Sequence, residues 1–268
     1  MTSNLENICK QTCDLSRDVG RFIKEESIRF NKSFVEHKGF NDLVSYVDRE
    51  AEKQLVDGLQ KLIPGAGFLT EENTATLTGK KYTWIIDPLD GTTNFIHGVP
   101  CYCISIGLMR EDILVLGVIY EINQHECFYA WEGGKPYLNG KEIHVSNTGK
   151  LQNSLLVTGE PYAEYVRMKE YMHIFDHCMK HSHGLRRMGS AAAHLAYVAC
   201  GRVEGFYEYG LNAWDVAGGI FIIQQAGGRV SDFSGGENYI FGKEIIACNS
   251  NMFEEFLKVV KEKFGNTV

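Results

Sequence analysis

The stretch "WIIDPLDGTTNF", residues 84–95, decides how the chain is read. Trp84, Ile85 and Ile86 have the apolar character of a buried strand, and Asp87 and Asp90 follow it three residues apart with Pro88 between them. Two carboxylates held this close repel each other unless positive charge lies between them. After them, Gly91-Thr92-Thr93-Asn94 reads as the start of a helix, where free backbone N–H groups and threonine hydroxyls suit phosphate oxygens. A phosphate beside two aspartates calls for a hard divalent cation, and Mg²⁺ shared by carboxylates and substrate phosphate is the usual arrangement. A plain turn accounts for the same residues, because Asp, Pro and Gly are turn formers and Asp90 can cap a helix.

Two more acidic positions weigh against the plain turn. "LTEENT" places Glu71 and Glu72 after another apolar strand, and "YGLNAWDVAGG" places Asp215 at the opening of a helix. Each alone reads as a solvated strand end or a helix N-terminal carboxylate. Three strand-end or helix-start acidic sites in one chain form a better metal site than any one of them.

The surrounding pattern supplies the frame. Leu5, Ile8, Leu15, Val19, Phe22 and Ile23 recur at helical spacing, as do Val47, Ala51, Leu55, Leu59 and Leu62, with the polar loop "HKGFND" between the two helices. From residue 67 short strands follow one another ("GFLT", "YTWII", "CISIGLM", "ILVLGVIY", "ECFYAW"), ending in a hairpin signalled by Asn139-Gly140, so an antiparallel sheet is expected. Beyond "SNTGKLQ" strands and helices alternate, the mark of an α/β layer arrangement. The chain therefore divides into an N-terminal α+β half, 1–148, and a C-terminal α/β half, 149–268.

Composition narrows the function. A net charge of −7 without Lys/Arg clusters argues against nucleic-acid binding. The first residues are polar and charged, unlike a signal or transit peptide, and no apolar run approaches the ~20 residues that span a bilayer. The eight cysteines show no zinc spacing and several sit in apolar runs, so reduced core thiols in a cytoplasmic protein are expected. His177, His181 and His183 read as a solvated helix end, and Arg186 and Arg187 as facing a second phosphate, a subunit neighbour or a local partner.

"WIIDPLDGTTNF" followed by "WDVAGG", with "TEE" upstream, resembles the inositol monophosphatase family of Mg²⁺-dependent phosphomonoesterases, and the resemblance covers nearly the whole chain. It implies a layered αβαβα sandwich, a small-molecule phosphate monoester as substrate and a homodimer, while the charge and the apolar runs point to no nucleic-acid or membrane partner. It also implies that Glu71, Asp87, Asp90, Asp215 and the Leu89 carbonyl ligate metal, with Thr92 and Glu71 activating the attacking water. Gly91 and Thr92 N–H groups would hold the phosphate, and Gly189, Ser190, Ala191 and Glu208 would line the alcohol pocket. Lys38 matches the family's loop beside the site and Asp48 its anchoring aspartate, although an ungapped alignment shifts the loop lysine onto His37. Inositol monophosphate is the implied substrate. Histidinol phosphate, fructose 1,6-bisphosphate, NADP and 3′-phosphoadenosine 5′-phosphate are the alternatives within the superfamily, and a non-catalytic regulatory or binding protein of the same fold is the alternative outside enzymes.

Overall fold

The computed structural model describes residues 2–31, 36–39, 42–73, 81–160 and 165–264. Helices α1 (Thr2–Arg29) and α2 (Tyr46–Leu62) form the first layer. Their periodic apolar positions, Leu5, Ile8, Val19 and Ile23 with Val47, Ala51, Leu55 and Leu59, are buried against one face of a sheet. The segment expected as a polar loop between them instead carries two short antiparallel strands, β1 (Glu36–Gly39) and β2 (Asp42–Val44). With only three or four residues each, these strands are too short for an apolar alternation to announce them, although Val44 of β2 is fully buried. The Lys38 side chain lies outside the described residues.

The first sheet has seven strands in chain order: β3 (Gly67–Thr70), β4 (Tyr82–Asp90), β5 (Cys103–Arg110), β6 (Ile113–Glu121), β7 (Glu126–Trp131), β8 (Tyr137–Leu138) and β9 (Lys141–Glu142). Asn139 and Gly140 close the β8–β9 hairpin with φ of 48° and 82°, the positive angles a two-residue turn of this hand requires. The sheet is antiparallel as expected except at its edge, where β3 runs parallel to β4 with Thr70 opposite Ile86. Both strands consequently finish at the same end, and Glu71 emerges beside Asp87.

The second sheet is built from β10 (Leu156–Thr158), β11 (Leu185–Arg186), β12 (Gly205–Tyr209), β13 (Gly228–Ser231) and β14 (Glu244–Asn249), in the order β11-β10-β12-β14-β13. Strand β10 is parallel to both neighbours and β14 antiparallel to both of its own. Helices α5 (Ala191–Ala199) and α6 (Ala213–Gln225) lie between the sheets, in a core shared by Ile85, Ile119 and Phe128 of the first sheet and Phe206 and Ala247 of the second. The outer face carries α4 (Met168–His181) and α7 (Phe253–Phe264), packed over Tyr207 and Ile246. The result is an αβαβα sandwich, with α3 (Thr92–His97) a short helix at the exit of β4. No described helix is long and apolar enough to cross a membrane.

The central layer depends on absent side chains. Gly107 and Gly117 face each other across β5 and β6, directly beneath α6. A Cβ on Gly117 would lie 2.3 Å from the Gly218 carbonyl oxygen, and one on Gly107 would lie 2.7 Å from Ala217 Cβ. Helix and sheet therefore meet backbone to backbone. Gly117→Ala should lower the unfolding free energy by about 1–3 kcal/mol in urea denaturation, because the obstacle is backbone and cannot rotate away. Gly149→Ala, which meets nothing within 4 Å, should leave it within about 0.5 kcal/mol.

Candidate active site

Along a regular strand, residues three apart point to opposite faces. Strand β4 escapes this at its end: Asp87 pairs with Ser105 and Asp90 with Cys103, so Pro88 and Leu89 together stand opposite one residue, Ile104. This bulge supplies the odd residue that returns Asp90 to the side of Asp87. Pro88, which has no N–H to give, occupies the interruption in the ladder. Leu89 N–H turns inward and donates to Asp87 Oδ1 at 2.9 Å. The strand thus runs through both aspartates, where the sequence suggested that it ended at Asp87.

Asp215 arrives from the other half of the chain. It sits in the first turn of α6, where its carboxylate accepts from Asn212 N–H at 2.7 Å and so forms half of a capping box. Ser105, the cross-strand partner of Asp87, donates its hydroxyl to the Trp214 carbonyl at 3.0 Å and ties the start of α6 to the end of β4. One carboxylate oxygen from each of Asp87, Asp90 and Asp215 lies within 4.8 Å of the others. Glu71 lies outside this trio but close enough to act on Asp87.

Burial and mutual repulsion both oppose ionisation here. Asp87 is pushed well above the usual carboxylate range by burial, then by the charges of Glu71, Asp90 and Asp215. Burial raises Asp90 to about 6 against the opposing pull of the Ser190 hydroxyl and the Ala192 and Ala191 N–H groups. Asp215 rises to about 7 through burial and then through Asp90. A cation between them relieves all three at once, and hard carboxylate oxygens are the donors that Mg²⁺ takes.

Around this centre the predicted site residues are held by a small network. Thr92 Oγ1 lies 2.8 Å from Asp48 Oδ1 and 3.0 Å from the Leu89 carbonyl, both acceptors of its single proton. Asp48 is itself fixed by Ser45, whose N–H and hydroxyl donate to Oδ2 at 2.9 and 2.7 Å. Gly91 precedes α3 with φ of 99°, and a Cβ there would lie 3.1 Å from the Gly189 carbonyl. Ser190 caps α5 and donates to Asp90 Oδ2 at 2.5 Å, while Ala192 N–H donates to the same oxygen at 2.6 Å. Gly189, Ser190 and Ala191 are thereby drawn against Asp90. Glu208 of β12 is 3% exposed, and its Oε2 has no hydrogen-bond partner among the described residues. Burial holds its carboxyl well above the ordinary range, reinforced by Asp215 and Asp90.

Several supporting residues escaped the sequence reading. Asn94 Nδ2 donates to the Cys101 and Met188 carbonyls at 2.8 and 2.6 Å, bridging the two halves of the chain. Met188 N–H donates to Nε2 of His194, whose ring burial keeps neutral by lowering its pKa to about 3, with Arg187 adding to the effect. Ser45 carried a readable signal, the S-x-x-D of a capping box, but Asn94, Ser105 and His194 act through long-range contacts that no local pattern encodes. His177 and His181 stack with ring centres 4.2 Å apart and gather no third metal-ligating group among the described residues.

The chain matches the inositol monophosphatase family over residues 4–263. It is 38% identical to an inositol-1-monophosphatase from Mesorhizobium japonicum over 91% of this chain and 92% of that one. It is 37% identical to the Nus factor SuhB of Pseudomonas aeruginosa, over 92% and 93% of the two chains. The crystal structure of the extragenic suppressor protein suhB from Bartonella henselae superposes with a TM-score of 0.89 at 35% identity, covering 94% of this chain and 98% of that one. With the bulged aspartate pair, the helix-borne Asp215 and this whole-chain similarity together, the chain belongs to the inositol monophosphatase family.

Proposed function

We propose that the chain is a Mg²⁺-dependent phosphomonoesterase that hydrolyses an inositol monophosphate to inositol and inorganic phosphate. The observation that carries this reading is the convergence of Asp87, Asp90 and Asp215 within 4.8 Å, in a chain of this family. Glu71, Asp87 and the Leu89 carbonyl would hold one Mg²⁺, and Asp87, Asp90 and Asp215 a second. Bound Mg²⁺ supplies Lewis acidity, acidifying water and offsetting charge on the phosphoryl and leaving oxygens.

The chain's own groups divide the remaining work. Thr92 directs its proton to Asp48 or Leu89, which leaves its oxygen as an acceptor able to orient a water. Glu71 would take that water's proton. Gly91 and Thr92 N–H groups would hold the phosphate, and Gly189, Ser190 and Ala191 would form the wall beside Asp90. Glu208 offers its unpartnered Oε2 to an alcohol hydroxyl, a bond that specifies a polyol. This reading includes a cytoplasmic homodimer without nucleic-acid or membrane partners; the eight free cysteines support a reducing compartment. The relative named as a Nus factor favours a second reading, a binding protein that keeps the fold without needing turnover. Phosphate release from inositol 1-phosphate, histidinol phosphate, fructose 1,6-bisphosphate, 3′-phosphoadenosine 5′-phosphate and NADP, with Mg²⁺ and with EDTA, separates the two. Turnover of none of them sinks the phosphatase reading.

Three outcomes follow from the residues. Asp90→Asn should reduce kcat by at least about 100-fold while leaving the circular dichroism spectrum unchanged, because it removes a charge meant for metal. Glu208→Gln should raise KM for inositol 1-phosphate much more than for p-nitrophenyl phosphate, which has no hydroxyls to read; equal effects would make Glu208 structural. In metal-free protein, Asp90 and Asp215 have folded-state pKa values of about 6 and about 7, above their value of 3.8 in an unfolded chain. Their contribution to stability is therefore fully present below 3.8 and is lost as pH rises through 6 to 7. Thermal melts in EDTA should show Tm falling from pH 5 to pH 8 more steeply in the wild type than in Asp90→Asn, with Mg²⁺ abolishing the difference.

A further inference from the structure

Glu208 has neighbours that the reading above leaves without a task. Strands β11, β10 and β12 lie side by side and parallel, with Val157 opposite both Arg186 and Phe206 and Thr158 opposite Tyr207. Their C-terminal ends emerge together, and pockets of open α/β sheets form at such ends. Arg187 leaves β11 there, Gly159 and Glu160 leave β10, and Glu208 stands one residue past Tyr207 in β12. A Cβ on Gly159 would lie 2.1 Å from either oxygen of Glu208, so the end of β10 rests directly on that carboxylate. Across these ends Arg187 Nη1 and Glu160 Oε1 form an ion pair, their side chains 47% and 56% exposed. The charges of both residues reach Glu208, Arg187 favouring its ionised form and Glu160 opposing it.

We infer that the Glu160–Arg187 ion pair is a specificity element that makes this pocket favour alcohols bearing one phosphate and disfavour those bearing a second. The inference rests on the phosphomonoesterase reading and adds to it the charge of the leaving alcohol. A free guanidinium at the rim binds a second phosphate well, through paired N–H donors. With Glu160 already paired to it, that phosphate meets a compensated cation and the Glu160 carboxylate. Neutral hydroxyls meet no such penalty. The discrimination works by an unfavourable contact with the wrong ligand, and it needs no tighter contact with the right one.

The test compares inositol 1-phosphate with inositol 1,4-bisphosphate on the full chain in Mg²⁺. Glu160→Gln should raise the ratio of kcat/KM for the bisphosphate over the monophosphate by about fivefold, mainly through KM, as expected for freeing one rim charge. The gain should shrink as salt is raised, and the double variant Glu160→Gln/Arg187→Gln should lose it. An unchanged ratio, or a gain that persists in the double variant, overturns the inference. Should the wild type hydrolyse neither compound, the phosphatase reading fails on its own. Calorimetric binding of the same two compounds to the same variants then reports the ratio independently and decides the inference separately.

Discussion

The gathering of the three aspartates depends on how closely α6 can approach the seven-stranded sheet. Gly107 and Gly117 leave bare backbone on β5 and β6, and Gly218 presents bare backbone in return. On its other side α6 meets α5, where Leu195 lies against Gly219. A helix held at ordinary side-chain distance from the sheet would carry Asp215 away from Asp87 and Asp90. Ser105 then fixes the remaining freedom by bonding the first turn of α6 to the strand that pairs with Asp87. Packing thus does the work of bringing together charges that repel one another.

That repulsion is a deliberate imbalance in the protein alone. Three aspartates and Glu208 all have their ionised forms disfavoured by burial, and Asp87, Asp215 and Glu208 also by the charges of neighbouring carboxylates. Structural ion-pair networks do the opposite and bring positive groups to buried carboxylates. For the three aspartates the relief among the described residues is a set of hydrogen bonds, from Leu89 to Asp87, from Ser190 and Ala192 to Asp90 and from Asn212 to Asp215. Such bonds orient the carboxylates without neutralising them, which keeps their outward lone pairs free for a cation.

The sequence was legible where the physics is local. Helical periodicity located α1 and α2, Asn139-Gly140 located a hairpin, and the order of apolar runs and turns anticipated the strands of both sheets. The bulge at Pro88-Leu89 was visible as an aspartate pair at the wrong spacing for one strand face, though nothing local revealed that the ladder resumes at Asp90. The parallel edge strand β3 was misread because pairing direction is set by where a connection returns, and a string of strands does not say so. β1 and β2 were missed because strands of three or four residues are too short to show an alternating pattern. Asn94, Ser105 and His194 were missed for a different reason: each acts on a residue distant in sequence, and their roles exist only once the layers have stacked.

The placement of Asp215 has a consequence for the chain's own biosynthesis. Asp87 and Asp90 leave the ribosome long before α6 does, and until α6 docks against the bare backbone of β5 and β6 they face water, where their charges are nearly independent. The electrostatic penalty therefore falls on the last stage of assembly, the seating of the central layer. A divalent cation bound at that stage would offset the penalty as it appears. The hydrogen bonds to Asp90 and Asp215 form at that same stage, so the chain supplies part of the compensation as the layers close.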